Sequence, residues 1–258
     1  IFQITRLKIL DTKDPIAQVR KLGPVFFFFV FFIIGLVTMF KGLKPLKLDL
    51  DLTEALIGSV ILGLVGAGLG IVLIRRVRLG AKDPRHRFSQ VERIFVVLQI
   101  LTACAIAFAH GSNDVANAIG PLAAVAYAVQ ELDLGGKAPV EPWMLAIGGI
   151  GIVIGLATWG YRVMETVGKR ITELTPSRGF AAQLAAATTI VVASRLGIPI
   201  STTHTLVGAV LGVGLARGIS ALDLRVVGKI IISWVATLPI AAGLSIFFYF
   251  FFKGLLTP

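Results

Sequence analysis

The chain has 258 residues, of which 56% are hydrophobic and only 15% are charged, and its mean hydropathy is +0.88. Soluble domains carry roughly 25% charged residues, so this composition excludes an ordinary soluble globular protein and predicts a polytopic helical membrane protein. The net charge of +11 clusters in the gaps between apolar segments. That distribution is typical of cytoplasmic loops and argues against a nucleic-acid partner.

Apolar segments long enough to cross a bilayer follow one another along the chain, and the charges on their flanks orient them. Residues 1–23 carry five basic and two acidic side chains, so we place them inside. The stretch from Arg75 to Arg93, with seven basic and two acidic residues, is also predicted inside, and the acidic loop Glu131–Glu141 outside. The predicted spans are Pro24–Phe40, Leu52–Ile74, Ile94–Val129, Trp143–Met164 and Val226–Phe252.

Two further features concern the shape of the helices. The phenylalanine blocks Phe26–Phe32 and Phe247–Phe252 are typical of walls that face lipid. Two shorter apolar segments, Gly179–Ser194 and Ile200–Ala216, are separated by a few residues that include Gly197 and Pro199. They are either two crossings joined outside or a re-entrant pair that meets at mid-membrane, and both alternatives leave the C-terminus outside.

The first polar motif, AHGSNDVANAIGP at residues 109–121, lies within an apolar segment. A carboxylate at the centre of a membrane helix costs about 2.5–3.5 kcal/mol on insertion scales, so chains that retain one commonly use it for a substrate or an ion. Asn113 and Asn117 share one helix face, and Asp114 is about one step around it. Gly120 and Pro121 follow, where a helix can break and free its backbone carbonyls. These oxygen ligands suit a small cation such as Na⁺. The alternative is that the buried amides only form hydrogen bonds to neighbouring helices.

The second polar motif, GIPISTTHTLVGA at residues 197–209, predicts a new helix that starts inside the membrane. Ser201 is a suitable N-cap, which leaves the backbone amides of the first turn free to bind an anion. The hydroxyls of Thr202 and Thr203 add further donors. An equally open alternative is a cap that serves only its own helix. Taken together, one cation site and one anion site describe a cation-coupled anion symporter.

The residues AFAHGSNDVANAIGPLAA (107–124) resemble the signature of the inorganic phosphate transporter family of the Pit type, and GIPISTTHTLVGAVLGVG (197–214) resembles its second diagnostic stretch. The segment 159–189 also follows the family pattern. The resemblance covers residues 91–258 with specific motifs and residues 1–90 only in general character.

This resemblance implies import of inorganic phosphate by symport with Na⁺ or H⁺, in the cell membrane, by a protein built from two inverted repeats with broken or re-entrant helices. It implies that phosphate contacts Asn113, Asp114, Ser201, Thr202 and Thr203, and that Asn113, Asp114 and Asn117 are the candidate Na⁺ ligands. Apart from a possible bound Na⁺, we expect no cofactor.

Only one copy of each motif is present, which suggests the C-terminal half of such a transporter. We expect residues 1–90 to be a central linking region with two transmembrane helices and a basic cytoplasmic loop, and residues 91–258 to be the second transport repeat. The missing N-terminal half would then be a partner, beside the lipid bilayer, and the sequence leaves a homodimer open. The resemblance implies a Glu at position 183 in many members, where this chain has Gln183, and a neutral side chain cannot carry a coupling proton.

Two rival functions remain at the level of sequence. A sulfate carrier of the same family would use similar motifs. A membrane scaffold that transports nothing would use them for packing only. We do not expect an enzyme, because the sequence contains no catalytic triad, zinc-ligand spacing or phosphate-cradling loop.

Overall fold

A computed structural model of the chain describes residues 1–39, 51–76, 84–131, 138–196, 198 and 200–256, without the side chains at 84–89, 112, 113, 116, 118, 131, 194, 195 and 256. These residues form helices joined by short connections, with no strand in the described part of the chain, so the all-α class is confirmed. Gly197, Pro199 and the loop residues 77–83 and 132–137 lie outside the described residues. The helices are α1 (Phe2–Thr5), α2 (Pro15–Val37), α3 (Leu52–Arg76), α4 (Pro84–Glu131), α5 (Pro142–Gly155), α6 (Tyr161–Glu165), α7 (Pro176–Leu196), α8 (Thr202–Leu215) and α9 (Leu224–Leu256).

Short irregular helical turns complete this set. Arg6–Leu10, Leu156–Gly160 and Thr166–Arg170 are π-helical, and the last two join α5 and α6 into one rod that ends at Arg170. A 3₁₀ turn at Ile219–Ala221 connects α8 to α9.

Five helices in the described part of the chain are long and apolar enough to cross a membrane. They make the protein a multi-pass membrane protein, as the composition predicts. The spans are Pro15–Val37, Leu52–Arg76, Gln90–Gly111, Pro142–Arg170 and Leu224–Leu255.

The first polar motif lies on α4, which runs for 48 residues without interruption. The prediction that the helix breaks at Gly120 and Pro121 is therefore wrong. Proline fixes φ near the helical value, so a helix can continue through it at the cost of one hydrogen bond. Because Pro121 has no N–H, the carbonyl of Asn117 receives no hydrogen bond from the residue four positions later. The expected release of a backbone carbonyl thus occurs without a break.

Helices α2 and α3 pack closely through aromatic rings and glycines. Added Cβ atoms at Gly63, Gly66 and Gly70 of α3 would lie within 3 Å of the rings of Phe28, Phe31 and Phe27 respectively. Phe27 is only 1% exposed. The interpretation of the first phenylalanine block as a lipid-facing wall is therefore wrong for Phe27, Phe28 and Phe31, because the α3 glycines open a groove that these rings fill. The second block, at the end of α9, is exposed throughout.

Helix α7 lies at the centre of the described structure and is paired with α8. Phe180 of α7 is completely buried and contacts Phe26 of α2 and Phe95 of α4, with ring centroids 5.5 and 5.6 Å away. The core thus joins residues on both sides of position 90, and the division into 1–90 and 91–258 stays a prediction.

The length of α8 bears on how the α7–α8 pair sits in the membrane. Its 14 residues make it about 21 Å long, which is shorter than the ~30 Å hydrocarbon core of a bilayer. Neither α7 nor α8 is among the five candidate spans. These observations favour a re-entrant pair over two full crossings.

Candidate functional site

The two polar motifs meet where α4 passes the start of α8. The Thr202 hydroxyl lies 3.1 Å from Oδ1 and 3.3 Å from Oδ2 of Asp114, across 88 positions of sequence. A carboxylate can only accept hydrogen bonds, so the hydroxyl is the donor. Thr202 is 3% exposed, whereas the Asp114 side chain is 29% exposed. The carboxylate is therefore tied to α8 on one side and still accessible on the other.

The start of α8 has the geometry of a capped helix. Ser201 is the N-cap with extended backbone angles, and its Oγ accepts a hydrogen bond from the amide of His204 at 3.3 Å. Other amides of the first turn have no partner within the helix, and the helix dipole adds partial positive charge there. The Asp114 carboxylate thus lies beside the partially positive N-terminal end of α8.

His110 is another neighbour of Asp114 and lies on the same helix, α4. Its Nε2 lies 2.9 Å from Oδ2 of Asp114, one helical turn away. Nε2 donates in the tautomer or charge state that carries a proton on that atom. The carboxylate is thereby positioned by two side chains, His110 of its own helix and Thr202 of α8.

His204 connects the cap of α8 to α9. Its Nδ1 lies 2.7 Å from the Ser201 hydroxyl, and its ring stacks on Trp234 of α9 with centroids 3.8 Å apart. The Ser201 hydroxyl can therefore be either a donor to His204 or an acceptor from it, depending on the tautomer. In the second case its own proton is free for another acceptor.

A further polar contact links α4 and α7. The Thr102 hydroxyl lies 2.7 Å from Oε1 of Gln183 and also within 3.1 Å of two backbone carbonyls of its own helix. Gln183 is thus a neutral hydrogen-bond acceptor at the packed junction of two helices.

The predicted site residues do not all converge. The structure brings Asp114 and Thr202 together and places Ser201 next to Thr202, exposed. Asn117 and Thr203 are exposed, and the structure records no side-chain hydrogen bond for either among the described residues. The Asn113 side chain lies outside the described residues.

The geometry places both histidines as hydrogen-bonded neighbours of the motifs. Trp234 was not predicted from the sequence. A tryptophan within an apolar span carries no local signal, and its contact with His204 depends on how α9 packs.

The chain is similar to known proteins in sequence and in fold. The model of the phosphate transporter family matches residues 1–245. The chain belongs to the phosphate transporter family. The expectation that residues 1–90 match only in general character is therefore wrong, since the family match begins at the first residue.

Individual relatives agree with the family match. A protein of Haemophilus influenzae named "Putative phosphate permease" is 48% identical over 254 residues, covering 97% of this chain. A Thermococcus kodakarensis protein with the same description is 48% identical over 250 residues, covering 96%. A solved structure, described as "The sodium-dependent phosphate transporter", is 38% identical, with a TM-score of 0.84 over 99% of this chain.

The chain spans 60% of the length of these two curated relatives and 62% of the solved transporter. In this member of the phosphate transporter family, both diagnostic motifs thus lie in one chain and meet at the contact between Asp114 and Thr202.

Proposed function

We propose that this chain supplies part of the transport site of a secondary transporter that imports inorganic phosphate together with a cation. The single observation that carries the proposal is the hydrogen bond from the buried Thr202 hydroxyl to Asp114. It joins a carboxylate on a membrane helix to the start of an interrupted helix. Broken helices that direct their N-termini at anionic substrates recur in secondary transporters.

Phosphate would bind against the N-terminal end of α8. The free backbone amides of its first turn and the Ser201 hydroxyl are donors for phosphate oxygens, and the helix dipole favours the negative charge. Monohydrogen and dihydrogen phosphate also carry a P–OH group. That group can donate to the accessible side of the Asp114 carboxylate, where a fully ionised oxyanion would be repelled.

The coupling cation would bind on the α4 side of the same site. The Asp114 carboxylate and the carbonyl of Asn117, which receives no hydrogen bond from Pro121, are hard oxygen ligands of the kind that Na⁺ prefers. Asn113 and Asn117 are further proposed ligands of the cation. The exposed side chain of Asn117 would have to move in order to reach it. The similarity to a solved transporter described as sodium-dependent favours Na⁺ over H⁺. The neutral Gln183 supports the same choice, because an amide cannot carry a proton.

The test is uptake of radiolabelled phosphate into vesicles that contain the full-length protein, with the Na⁺ gradient and the pH gradient imposed separately. We expect an inward Na⁺ gradient to drive accumulation and a pH gradient alone to drive little. Accumulation that follows only the pH gradient would overturn Na⁺ coupling. Absence of accumulation under both gradients would overturn the transport proposal itself.

A second uptake experiment separates phosphate from sulfate. Asp114→Asn replaces an acceptor of the P–OH hydrogen bond with an amide of the same shape. We expect phosphate uptake to fall at least roughly tenfold, which is the effect of losing one hydrogen bond to a charged group. Sulfate, which has no P–OH equivalent at neutral pH, should not compete with phosphate in the wild-type protein. Strong competition by sulfate would assign the protein to sulfate transport instead.

A further inference from the structure

A small cavity lies at the end of the α7–α8 pair that is opposite to Asp114. It has a volume of about 310 Å³ and is bounded by the N-terminal segment, the start of α7 and the end of α8. Its lining residues are Phe2, Arg6, Leu10, Asp11, Thr175, Ser177, Arg178 and Arg217. Because α8 is about 21 Å long, this cavity is separated from the Thr202 end of the helix by most of that distance. The basic flanks predict that it opens on the cytoplasmic side.

Three arginines line the cavity, and their charges are unequally compensated. Arg6 forms an ion pair with Asp11 at 2.8 Å. Arg178 and Arg217 share one carboxylate, that of Glu173, at 3.7 and 3.6 Å, and the Glu173 side chain is 81% exposed. An exposed ion pair of this length contributes little. Arg178 and Arg217 themselves are each only 22% exposed.

The neighbouring acid Glu92 is committed elsewhere. Its two oxygens accept hydrogen bonds from the amide and the hydroxyl of Ser177, at 2.9 and 2.7 Å, and it is almost completely buried. Its hydrogen bonds are therefore used at the N-terminal end of α7, while its negative charge also acts on Arg178. Burial lowers the pKa of the Arg178 guanidinium, and the positive charge of Arg217 lowers it further, against the opposite effects of Glu173 and Glu92.

Capping of loop carbonyls uses only part of the donor capacity of these arginines. Arg178 donates to the Glu173 carbonyl at 3.1 Å, and Arg217 donates to the same carbonyl at 3.1 Å and to the Thr172 hydroxyl at 3.3 Å. Each guanidinium has five N–H donors. The two neighbouring guanidinium groups therefore have N–H donors that these contacts do not use. Their planar, forked geometry matches the oxygens of a phosphate group. The cavity is at the small end of ligand pockets, which suits one such group.

We propose that Arg178 and Arg217, with Arg6 and the Thr175 hydroxyl, form a second binding site for a phosphate group at the cytoplasmic end of the α7–α8 pair. The ligand is either inorganic phosphate or the phosphomonoester headgroup of an anionic lipid. This site does not depend on the proposed role of Asp114.

The experiment measures phosphate binding to the purified full-length protein in the Asp114→Asn background, so that the proposed transport site contributes little. Line broadening of inorganic phosphate in phosphorus NMR detects the remaining binding. We expect the added pair Arg178→Gln and Arg217→Gln to weaken it roughly tenfold or more. The matched control is Arg170→Gln, an exposed arginine on the same predicted face that pairs with Glu165. It should leave the binding unchanged.

A lipid arm identifies the other source of the phosphate group. The wild-type protein and the same variants are reconstituted with phosphatidylcholine and phosphatidic acid, and the lipid retained after detergent washing is counted by mass spectrometry. Phosphatidic acid lost only from the Arg178→Gln, Arg217→Gln protein supports the site with a lipid headgroup as its ligand.

The variant Arg178→Lys, Arg217→Lys keeps the charge and guards against misfolding as an explanation. It should bind more weakly than the wild-type arginines but better than the glutamine pair, because lysine lacks the forked geometry. If neither free phosphate nor phosphatidic acid distinguishes the arginine variants from the Arg170→Gln control, the proposed site does not exist. Unchanged binding in the lysine and glutamine pairs alike has the same consequence.

Discussion

Asp114 is a carboxylate that the chain keeps on an apolar helix, and the structure shows how it is accommodated. One oxygen lies 2.9 Å from His110, and both lie within 3.3 Å of the Thr202 hydroxyl. Hydrogen bonds to a charged group are worth about 1.5–3 kcal/mol, which is comparable with the insertion cost of about 2.5–3.5 kcal/mol for a central Asp. These hydrogen bonds therefore offset the cost of keeping the side chain on this helix, and 29% of the side chain remains exposed.

His110 should act as a positioning residue for Asp114. In His110→Ala the carboxylate loses one of its hydrogen-bond partners, so we expect phosphate uptake at low concentration to fall roughly tenfold. The loss should appear mainly as a higher KM. His110→Gln retains an N–H donor and should recover part of the affinity. Equal kinetics for wild type and His110→Ala, at equal protein amounts, would remove His110 from the site.

Gln183 gives a prediction about coupling. In Gln183→Glu a group that can carry a proton replaces the amide 2.7 Å from the Thr102 hydroxyl. We expect uptake by Gln183→Glu to depend more strongly on the pH gradient than uptake by the wild type. Gln183→Leu loses the hydrogen bond without adding charge, so it separates the two effects. If Gln183→Glu and Gln183→Leu respond alike to the pH gradient, ionisation at this position has no part in coupling.

Sequence reasoning at this scale pointed to candidate residues but not to their pairing. The cost of a buried carboxylate pointed to Asp114, and the Ser-Thr-Thr cluster after a glycine and a proline pointed to a helix cap. The specific contact with Thr202, and not with Thr203, depends on the rotation of α8 against α4. That rotation is set by tertiary packing, which a single sequence does not reveal.

At the scale of helices, the small residues of α3 determine how closely α2 can approach. Gly35 of α2 meets the Ser59 backbone of α3, where an added Cβ would lie 2.9 Å from Cα. Composition correctly predicted apolar helices, but it assigned the phenylalanines of α2 to lipid. Which face of a uniformly apolar helix is buried cannot be read from hydropathy, because both faces are apolar. The glycine spacing of α3 was the signal that could have revealed the partner.

Gly35→Leu should destabilise the α2–α3 pair. Forcing a side chain against backbone costs typically 1–3 kcal/mol, so we expect a lower melting temperature of the purified full-length protein in detergent. Gly68→Leu is the matched control, because nothing lies within 4 Å of a Cβ built at Gly68. Similar melting temperatures for the two variants would show that α2 and α3 do not pack as described.

At the scale of the whole molecule, the apolar windows of two spans contain almost no fully buried residues in the described structure. The apolar window of Pro142–Arg170 is 6% buried and that of α9 is 0% buried within the chain. Apolar helix faces of this extent need lipid or other membrane helices as neighbours. The chain spans 60% of the length of its first two curated relatives, so we propose that the additional length of such proteins contributes some of these neighbours.

The fold class and the membrane location follow from composition, since a chain this apolar can satisfy its backbone in lipid only by helices or a closed barrel. The continuity of α4 through Pro121 did not follow. Proline is a strong helix breaker in water, but an apolar environment penalises an open backbone so heavily that one lost hydrogen bond is the smaller cost. Membrane context thus overrides the local sequence signal at this position.

The measurement that tests the central claim most directly is Na⁺-driven uptake of labelled phosphate by the full-length protein with Thr202→Val, compared with Thr205→Val. Both changes remove a hydroxyl from α8, but only Thr202 contacts Asp114, whereas Thr205 bonds the Ser201 carbonyl of its own helix. We predict at least roughly tenfold slower uptake for Thr202→Val and near-normal uptake for Thr205→Val. Equal uptake by the two variants would contradict a transport site built on the contact between Asp114 and Thr202.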